Sequence, residues 1–177
     1  ALTGVAATLI QGETAHAALY LNQKREIEPE QIELWVPTKM VIIDEISFAD
    51  KSDIETIHNR LKVLKQKQHS KYGGINIIFC GDFRQLEPVG ANKKPMYEQD
   101  VPQFREWINC YIELRGIWRF QNDILWGKLL TRMRDGKLLE ADLKVINKHI
   151  NRNKKKRLPE AIRYATYYNR DRDAINA

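Results

Sequence analysis

Cysteine and long apolar runs are scarce in this sequence of 177 residues, and each scarcity excludes a class of protein. Only two cysteines are present, and Cys80 lies inside the apolar run INIIFC, so neither a disulfide framework nor a metal-thiolate cluster is expected. No apolar run approaches the roughly 20 residues that span a bilayer, and the first residues lack the basic-then-apolar order of a signal peptide. We therefore expect an intracellular protein that makes no contact with a membrane and keeps Cys80 and Cys110 reduced.

Acidic residues are outnumbered by basic ones. The sequence has 29 Lys and Arg against 23 Asp and Glu, which gives a formal net charge of +6. This surplus favours a polyanionic partner such as nucleic acid, although many basic proteins bind none. The length suits one full hydrophobic core with part of a second.

Two apolar runs joined by an amphipathic helix predict an α/β fold. We expect strands at Met40 to Asp44 and Ile75 to Cys80, and between them a helix at Asp53 to Gln68. Such a crossover is normally right-handed and joins parallel strands. The other predicted elements are helices at Val5 to Ile10 (with Thr3 as N-cap), Glu28 to Trp35, Asn122 to Met133, Glu140 to Asn151 and from Arg170, strands at Tyr111 to Leu114 and Ile162 to Tyr168, and a surface loop at Pro88 to Pro102.

A basic run, NRNKKKR at 151–157, is closed by Leu158-Pro159 and predicts a linker. We expect residues 1–150 to form a first domain, 151–160 the linker and 161–177 the start of a second domain. The chain opens at Ala1 as if a strand had just ended, so we also expect it to be a segment of a longer protein.

Acidic side chains follow both predicted strands. Asp44 and Glu45 end the first strand, and Asp82 follows the second. Because the carboxyl ends of parallel strands meet at one edge of a sheet, we expect the three carboxylates to lie together there. Their mutual repulsion favours a cation, and Mg²⁺ with Asp44 as a ligand suits oxygen donors beside a nucleotide. The Asp-Glu pair is equally compatible with an ordinary junction between a strand and a loop.

Four segments in order resemble motifs Ia, II, III and IV of the superfamily 1B DNA helicases. They are TGVAATLIQGETAH, VIIDEISF, IIFCGDFRQLEPV, and LRGIWRFQND followed by MRDG. They resemble in particular the petite-integration-frequency helicase family and its RecD-like relatives, from Leu2 to about Asn176. The resemblance implies a RecA-like P-loop NTPase motor domain, a parallel sheet flanked by helices, that uses ATP and Mg²⁺ to move 5′ to 3′ along single-stranded DNA. We expect this motor to be a monomer.

The resemblance also assigns residues to the nucleotide. It implies that Asp44 and Glu45 are the Walker B pair, for Mg²⁺ and for activation of water, and that Gln85 senses the γ-phosphate. Arg119 matches the arginine that faces charge in the transition state, and its aromatic neighbours predict a partly shielded position. Two alternatives stay open: Asp82 either caps the following turn or takes part directly, and Arg119 is either catalytic or an ordinary surface residue.

Four further residues match motif Ia and its extension, which touch the single-stranded DNA backbone in the family. They are Thr3, Gly4, Thr14 and His16, and hydroxyl and backbone N–H groups contact phosphates without reading bases. For His16 a structural, hydrogen-bonded histidine is an equal alternative. Glu87 stands where the family usually has a proline, so the resemblance does not extend DNA contacts to that loop.

A phosphate-binding sequence of the form G-x-x-x-x-G-K-[ST] does not occur in the 177 residues. In the family it precedes the motif that starts at Thr3, so we expect it before Ala1, and we expect motifs V and VI beyond Ala177. The chain alone should then turn over little ATP. Two other functions stay open: a truncated or degenerate module that binds DNA or a protein partner without catalysis, and a two-metal nuclease built on Asp44, Glu45 and Asp82.

Overall fold

The computed structural model describes residues 1–23, 26–90, 92–97, 106–149, 165–166 and 168–176. The chain divides into two compact units, Ala1–Arg115 and Gly116–Ala177. The linker predicted at 151–160 and most of the strand predicted at Ile162 to Tyr168 lie outside the described residues. None of the helices in the described part of the chain has the length and apolar character that crossing a bilayer requires.

In the described part of the chain before the first strand there are three short helices: α1 (Gly4–Leu9), α2 (Ala15–Ala18) and α3 (Pro29–Trp35). The predictions of α1 and α3 are confirmed, whereas α2 was not predicted. Threonines begin the first two helices: the Thr3 hydroxyl oxygen accepts from the Ala6 N–H, and the Thr14 hydroxyl oxygen accepts from the Ala17 N–H, both at 3.2 Å. Such a side-chain acceptor satisfies one of the N–H groups that the first turn of a helix leaves without a backbone partner.

Among the described residues, the sheet of the first unit consists of two parallel strands, β1 (Met40–Ile43) and β2 (Asn76–Phe79). Met40 pairs with Asn76 at one end and Ile43 with Phe79 at the other. The helix α4 (Lys51–Leu64) connects them, so the predicted strand-helix-strand unit with parallel strands is confirmed. Both strands are slightly shorter than predicted.

Helix α4 contributes Ile54, Ile57, Leu61 and Leu64 to the core of the first unit. The sequence did not predict its N-cap, Asp50, but Asp53, the predicted first residue of the helix, is the acid of its first turn. The helix ends four residues before the predicted Gln68 because Gln66 takes a left-handed backbone conformation, with φ 52°. The core cluster around α4 consists of Leu19, Ile43, Ile46, Ala49, Ile54, Ile57, Leu61, Leu64, Tyr72, Ile75 and Met96.

Only one face of the two-stranded sheet is covered among the described residues. Ile43 is buried in the core cluster, whereas Met40, Ile42 and Ile78 are exposed. The prediction of two buried strands is therefore wrong for one face. Side chains alternate between the faces of a strand, so a helix layer on one side leaves every second residue open.

The segment after β2 is also more buried than a surface loop. Pro88, Pro95 and Met96 are buried, and Met96 belongs to the core cluster. The prediction of a surface loop from Pro88 is therefore wrong at these positions, although residues 91 and 98–102 lie outside the described part. Apolar side chains inside the loop fasten it to the core.

The second unit contains three helices among its described residues, α5 (Ile124–Arg134), α6 (Glu140–His149) and α7 (Asn169–Asn176). The three predicted helices are thus confirmed, each starting within two residues of its predicted start, whereas the end predicted at Asn151 lies outside the described residues. The strand predicted at Tyr111 to Leu114, in the first unit, is wrong: these residues are exposed and form no strand. Their β-branched and aromatic character favours a strand, but an extended segment becomes a strand only when a partner pairs with it.

Candidate functional site

The acidic pair lies where β1 ends, and its backbone is strained. Asp44 and Glu45 are both partly buried. The Asp44 Oδ1 accepts from the Glu45 N–H at 2.9 Å. Glu45 itself takes a left-handed conformation, φ 61° and ψ 42°, before the 3₁₀ turn Ile46–Phe48. Residues other than glycine adopt this conformation at a cost of roughly 1 kcal/mol or more, and such residues cluster at functional sites. The turn points the chain away from the strand immediately after the two carboxylates.

The ends of the two strands are held together directly beyond the ladder. The Cys80 N–H donates to the Ile43 carbonyl and the Ile46 N–H donates to the Cys80 carbonyl, both at 2.9 Å. Burial raises the pKa of the Cys80 thiol, and the negative charge of Asp44 raises it further. Gly81 comes so close to the turn after Glu45 that a Cβ there would lie 2.8 Å from the Ile46 nitrogen. The segment that carries the acidic pair and the first residues of the loop after β2 therefore pack directly against each other.

Gln85 lies in the turn that follows Gly81, and Asp82 organises this turn. The Asp82 Oδ1 accepts from the Arg84 N–H at 3.0 Å, and the Asp82 carbonyl accepts from the Gln85 N–H at 2.9 Å. The Gln85 side chain is exposed, and its Nε2 lies 3.4 Å from the Asp82 Oδ2. Asp82 thus caps the following turn, as one of its two interpretations predicts.

The three carboxylates predicted to lie together do not form one metal-binding cluster. Within the described residues, no three His, Cys, Asp or Glu side chains are placed to share a metal ion. The reason is that Asp82 turns back onto the backbone of its own loop, whereas Asp44 bonds to the next residue. The carboxylates thus follow the two strand ends at one edge of the sheet, as expected, but in the described part of the chain their side chains do not converge on one metal position.

The N-terminal residues lie beside the acidic pair. The Leu2 N–H donates to the Asp44 carbonyl at 3.1 Å, and the Ala15 N–H donates to the Ala1 carbonyl at 2.7 Å. These bonds bring the start of α1, with Thr3, and the start of α2, with Thr14, to the same end of the sheet. Both hydroxyl oxygens already accept a backbone bond, so each hydroxyl retains one proton that it can donate.

Gly4 and His16 are exposed at the starts of α1 and α2. Apart from its chain neighbours and the backbone of α1, no atom lies within 4 Å of the place that a Gly4 Cβ would occupy, so this side of Gly4 is open to a ligand. His16 borders a groove of about 400 Å³, which the sequence did not predict. The groove is lined by Leu2, His16, Leu21, Asn22, Phe48, Asp53, Thr56, Ile57, Val89 and Lys93.

Arg119 belongs to the second unit and is exposed, so its predicted shielding by aromatic neighbours is wrong: Trp118 is exposed as well. Helix α5 packs on the segment that carries it. A Cβ at Gly127 would lie 2.4 Å from the Ile117 Cγ2 and 3.1 Å from the Phe120 Cβ. Glycine at position 127 thus permits the close approach that fixes the backbone on both sides of Arg119.

The family model described as PIF1-like helicase matches residues 1–143. The chain belongs to the PIF1-like helicase family. It is 31% identical to the human ATP-dependent DNA helicase PIF1 over 149 residues, which are 77% of the chain and 23% of that protein. It is 29% identical to the ATP-dependent DNA helicase PIF1 of Saccharomyces cerevisiae over 150 residues, which are 78% of the chain and 17% of that protein.

Solved structures of PIF1 helicases have the same fold. The crystal structure of the Pif1 helicase from Candida albicans matches 99% of this chain and 42% of its own, with a TM-score of 0.75 and 26% identity. The Bacteroides Pif1 helicase in complex with ADP-AlF₃ and single-stranded DNA matches 99% and 44%, with a TM-score of 0.71. Its identity of 20% makes that likeness one of fold alone. The predicted RecA-like α/β motor fold is confirmed.

The PIF1-like chain is much shorter than these relatives, since it spans about a fifth of each of the two curated proteins. The family assignment therefore concerns this segment. The residues that the sequence singled out lie on the two strand ends, on the starts of α1 and α2, and in the second unit. Sequence reasoning missed Asp53 and Lys93, which border the groove. Lys93 stands next to another lysine in the sequence, so no local signal distinguished it.

Proposed function

We propose that this chain is the core segment of an ATP-dependent DNA helicase that moves 5′ to 3′ along single-stranded DNA. One observation supports it most: the segment with Asp44 and Glu45 is fastened to the segment with Gln85 through the Ile46–Cys80 hydrogen bond. A motor that hydrolyses a nucleotide needs an acid pair and a phosphate-sensing group in fixed relation, because catalysis of phosphoryl transfer is mostly positioning and electrostatics. The family supports the same function.

Within this proposal each residue of the site has a distinct role. Asp44 is the ligand of Mg²⁺ and Glu45 orients the attacking water. Gln85 bonds to the γ-phosphate, since its amide both donates and accepts. Arg119 stabilises the charge that develops during transfer, as a planar guanidinium does for phosphate oxygens.

The donor set at the end of β1 fits Mg²⁺. Asp44 uses Oδ1 for the Glu45 N–H, so Oδ2 remains for a cation. Mg²⁺ in nucleotide sites is usually held by one or two carboxylates together with waters and phosphate oxygens, so it needs no cluster of three protein ligands. When bound, Mg²⁺ neutralises charge on the phosphates of ATP. The protein's own contribution is to hold Asp44 and Glu45 in fixed orientations.

Single-stranded DNA is the proposed polymer partner, held through Thr3, Gly4, Thr14 and His16. The exposed backbone at Gly4 and the remaining hydroxyl protons of the two threonines suit phosphate oxygens. Such contacts do not read bases, which a motor that moves along any sequence requires. The net charge of +6 supports attraction to a polyanion.

A second candidate is a module that binds DNA or a protein partner without catalysis. It needs only the exposed starts of α1 and α2 and the net charge of +6. The two-metal nuclease is disfavoured, because the described carboxylates do not gather around a shared position.

The decisive experiment is DNA-stimulated ATP hydrolysis by the full-length protein and by its Glu45→Gln variant. The proposal expects stimulation by single-stranded DNA, and loss of turnover by roughly 100-fold or more in Glu45→Gln with nucleotide binding retained. Glu30→Gln, which changes an exposed acid of α3, is the matched control and should keep wild-type turnover. Salt-sensitive DNA binding without turnover in the wild type would instead establish the binding module.

A further inference from the structure

The loop that follows β2 is attached to the segment that follows β1 at two points. The first is the contact of Ile46 with Cys80 and Gly81. The second lies further along the loop, where Lys93 reaches the start of α4. Gln85 lies between these two attachments, so both of them bear on where Gln85 can be.

The second attachment is a partly buried ion-pair network. The Lys93 Nζ donates to both Asp53 carboxylate oxygens, at 3.0 and 2.7 Å, and lies 3.7 Å from the Asp50 Oδ2. The side chains of Asp50 and Lys93 are 11% and 35% exposed. We name these three residues, Lys93 with Asp50 and Asp53, the Lys93 clamp.

The positive charge of Lys93 offsets the negative charges of Asp50 and Asp53. Asp50 and Asp53 form a reciprocal capping box, with the Asp53 N–H donating to Asp50 at 2.9 Å and the Asp50 N–H donating to Asp53 at 3.0 Å. Two carboxylates in one helical turn repel each other, and Lys93 lies beside both. Its hydrogen bond to Asp53 raises the pKa of Lys93. The network is therefore charged at neutral pH.

Hydrogen bonds and the charge of Lys93 offset the effect of burial on the pKa of Asp50. Burial by itself would raise the pKa of Asp50, but the hydrogen bonds from Ser52 and the Asp53 backbone, with the charge of Lys93, outweigh it and hold the pKa below its ordinary value. A carboxylate that is partly removed from water, hydrogen-bonded and paired with a cation holds its partner more firmly than a surface ion pair does. The Lys93 clamp thus attaches the loop to the start of α4.

By contrast, the Gln85 side chain is weakly held. It is exposed, and its bond to the Asp82 Oδ2 is long, at 3.4 Å. The backbone of the loop therefore decides where the amide lies. We propose that Lys93 is a positioning residue for Gln85, which keeps the amide in register with Glu45 by fixing the far end of the loop to α4.

The groove described above borders the Lys93 clamp. Val89, Lys93 and Asp53 line one side of it, and His16 and Phe48 also border it. A ligand that enters the groove thus meets the same loop that carries Gln85. The inference rests on the proposed function, in which Gln85 contacts the γ-phosphate.

The test compares Lys93→Met with Lys94→Met in the full-length protein. Methionine keeps an unbranched side chain and removes the charge, and Lys94 is the exposed neighbour of Lys93. We expect Lys93→Met to lower DNA-stimulated kcat about 10- to 100-fold, the range that misplacement of a catalytic group produces. Affinity for an oligothymidine and KM for ATP should change little. Lys94→Met should match the wild type, and Lys93→Arg should recover most of the rate.

Amide hydrogen exchange supplies a readout that does not depend on turnover. The backbone amides of Arg84 and Gln85, both of which donate to Asp82, should exchange faster in Lys93→Met than in the wild type and in Lys94→Met. Unchanged exchange together with an unchanged kcat per folded molecule would overturn the role of Lys93. So would a fall in kcat that Lys94→Met reproduces. If the wild type itself shows no ATPase activity, the proposed function fails. If the wild type is active and Lys93→Met equals it in both kcat and amide exchange, only the role of Lys93 fails.

Discussion

Gly81 packs so closely against Ile46 that the loops after the two strands are held at a fixed distance from each other. A Cβ on Gly81 would lie 2.8 Å from the Ile46 nitrogen and 2.9 Å from its Cγ2. The backbone N–H of Ile46 also donates to the Cys80 carbonyl, so it cannot move away without losing a hydrogen bond. The glycine therefore sets the distance between the acidic pair and the loop of Gln85.

The first prediction concerns Gly81→Ala. The added methyl group should push the two loops apart, lower the free energy of unfolding by about 1 to 3 kcal/mol, as overpacking typically does, and reduce ATP turnover in the full-length protein. Denaturant unfolding and steady-state ATPase assays measure both effects. Gly12→Ala is the control, because a Cβ there would meet its nearest neighbour at an ordinary 3.5 Å. Equal stability of the two variants would contradict the packing argument.

Regular spacing made the centre of the first unit predictable from the sequence. Ile54, Ile57, Leu61 and Leu64 recur at three- and four-residue intervals, and all four are buried. The end of the same helix was not predictable, because the residues after Leu64 are good helix formers. The helix ends where Gln66 takes a left-handed conformation, and the chain then returns across its last turns at Gly73, where a Cβ would lie 2.5 Å from the Leu61 carbonyl oxygen.

The candidate site, too, could be predicted from the sequence only in part. The resemblance of local segments was enough to single out Asp44 and Gln85, because their types and their places after apolar runs are visible in sequence. The turn at Asp82 is a local contact and was one of its two predicted alternatives, whereas the contact of Lys93 rather than Lys94 with α4 joins residues that are 40 positions apart. Local patterns do not encode such pairings.

The second prediction is a dependence of stability on pH through His58. Burial lowers the pKa of His58, and the charges of Lys62 and Lys71 lower it further. The unfolded chain therefore binds a proton more readily than the folded one below about pH 6.5. Stability should be at its full value above that pH and should fall as the pH drops toward the lowered folded pKa of His58.

Urea unfolding between pH 5 and 8 measures this effect, with His58→Gln and His69→Gln compared. His58 accepts from the Tyr72 N–H at 3.4 Å and stacks near Trp107, with ring centroids 6.2 Å apart, so His58→Gln should be less stable at pH 8. It should also lose part of the pH dependence. His69 is exposed, and its replacement should leave the slope unchanged. Parallel pH profiles for the wild type and His58→Gln would refute the assignment.

The third prediction concerns the ion pair between α5 and α6 in the second unit. Arg132 contacts both carboxylate oxygens of Asp142, through Nε at 2.7 Å and through a second guanidinium nitrogen. The Leu139 N–H also donates to Asp142 at 3.0 Å. The bond to Arg132 first, and then the one from Leu139, lower the pKa of Asp142 to about 2. Its stabilising effect should be complete above the unfolded pKa near 4 and should be lost as the pH falls toward 2.

Asp142→Asn removes this charge while it keeps the size of the side chain. Amide exchange in α5 and α6 should then be faster than in the wild type at pH 7, and the difference should shrink as the pH approaches 2, where the wild-type carboxylate is itself protonated. Glu140→Gln changes an exposed acid in the first turn of α6 and should have little effect at either pH. The bidentate contact is made by Asp142 and not by Glu140. If the amides of α5 and α6 exchange at the same rate in Asp142→Asn and in Glu140→Gln at pH 7, the ion pair does not stabilise the contact between the two helices.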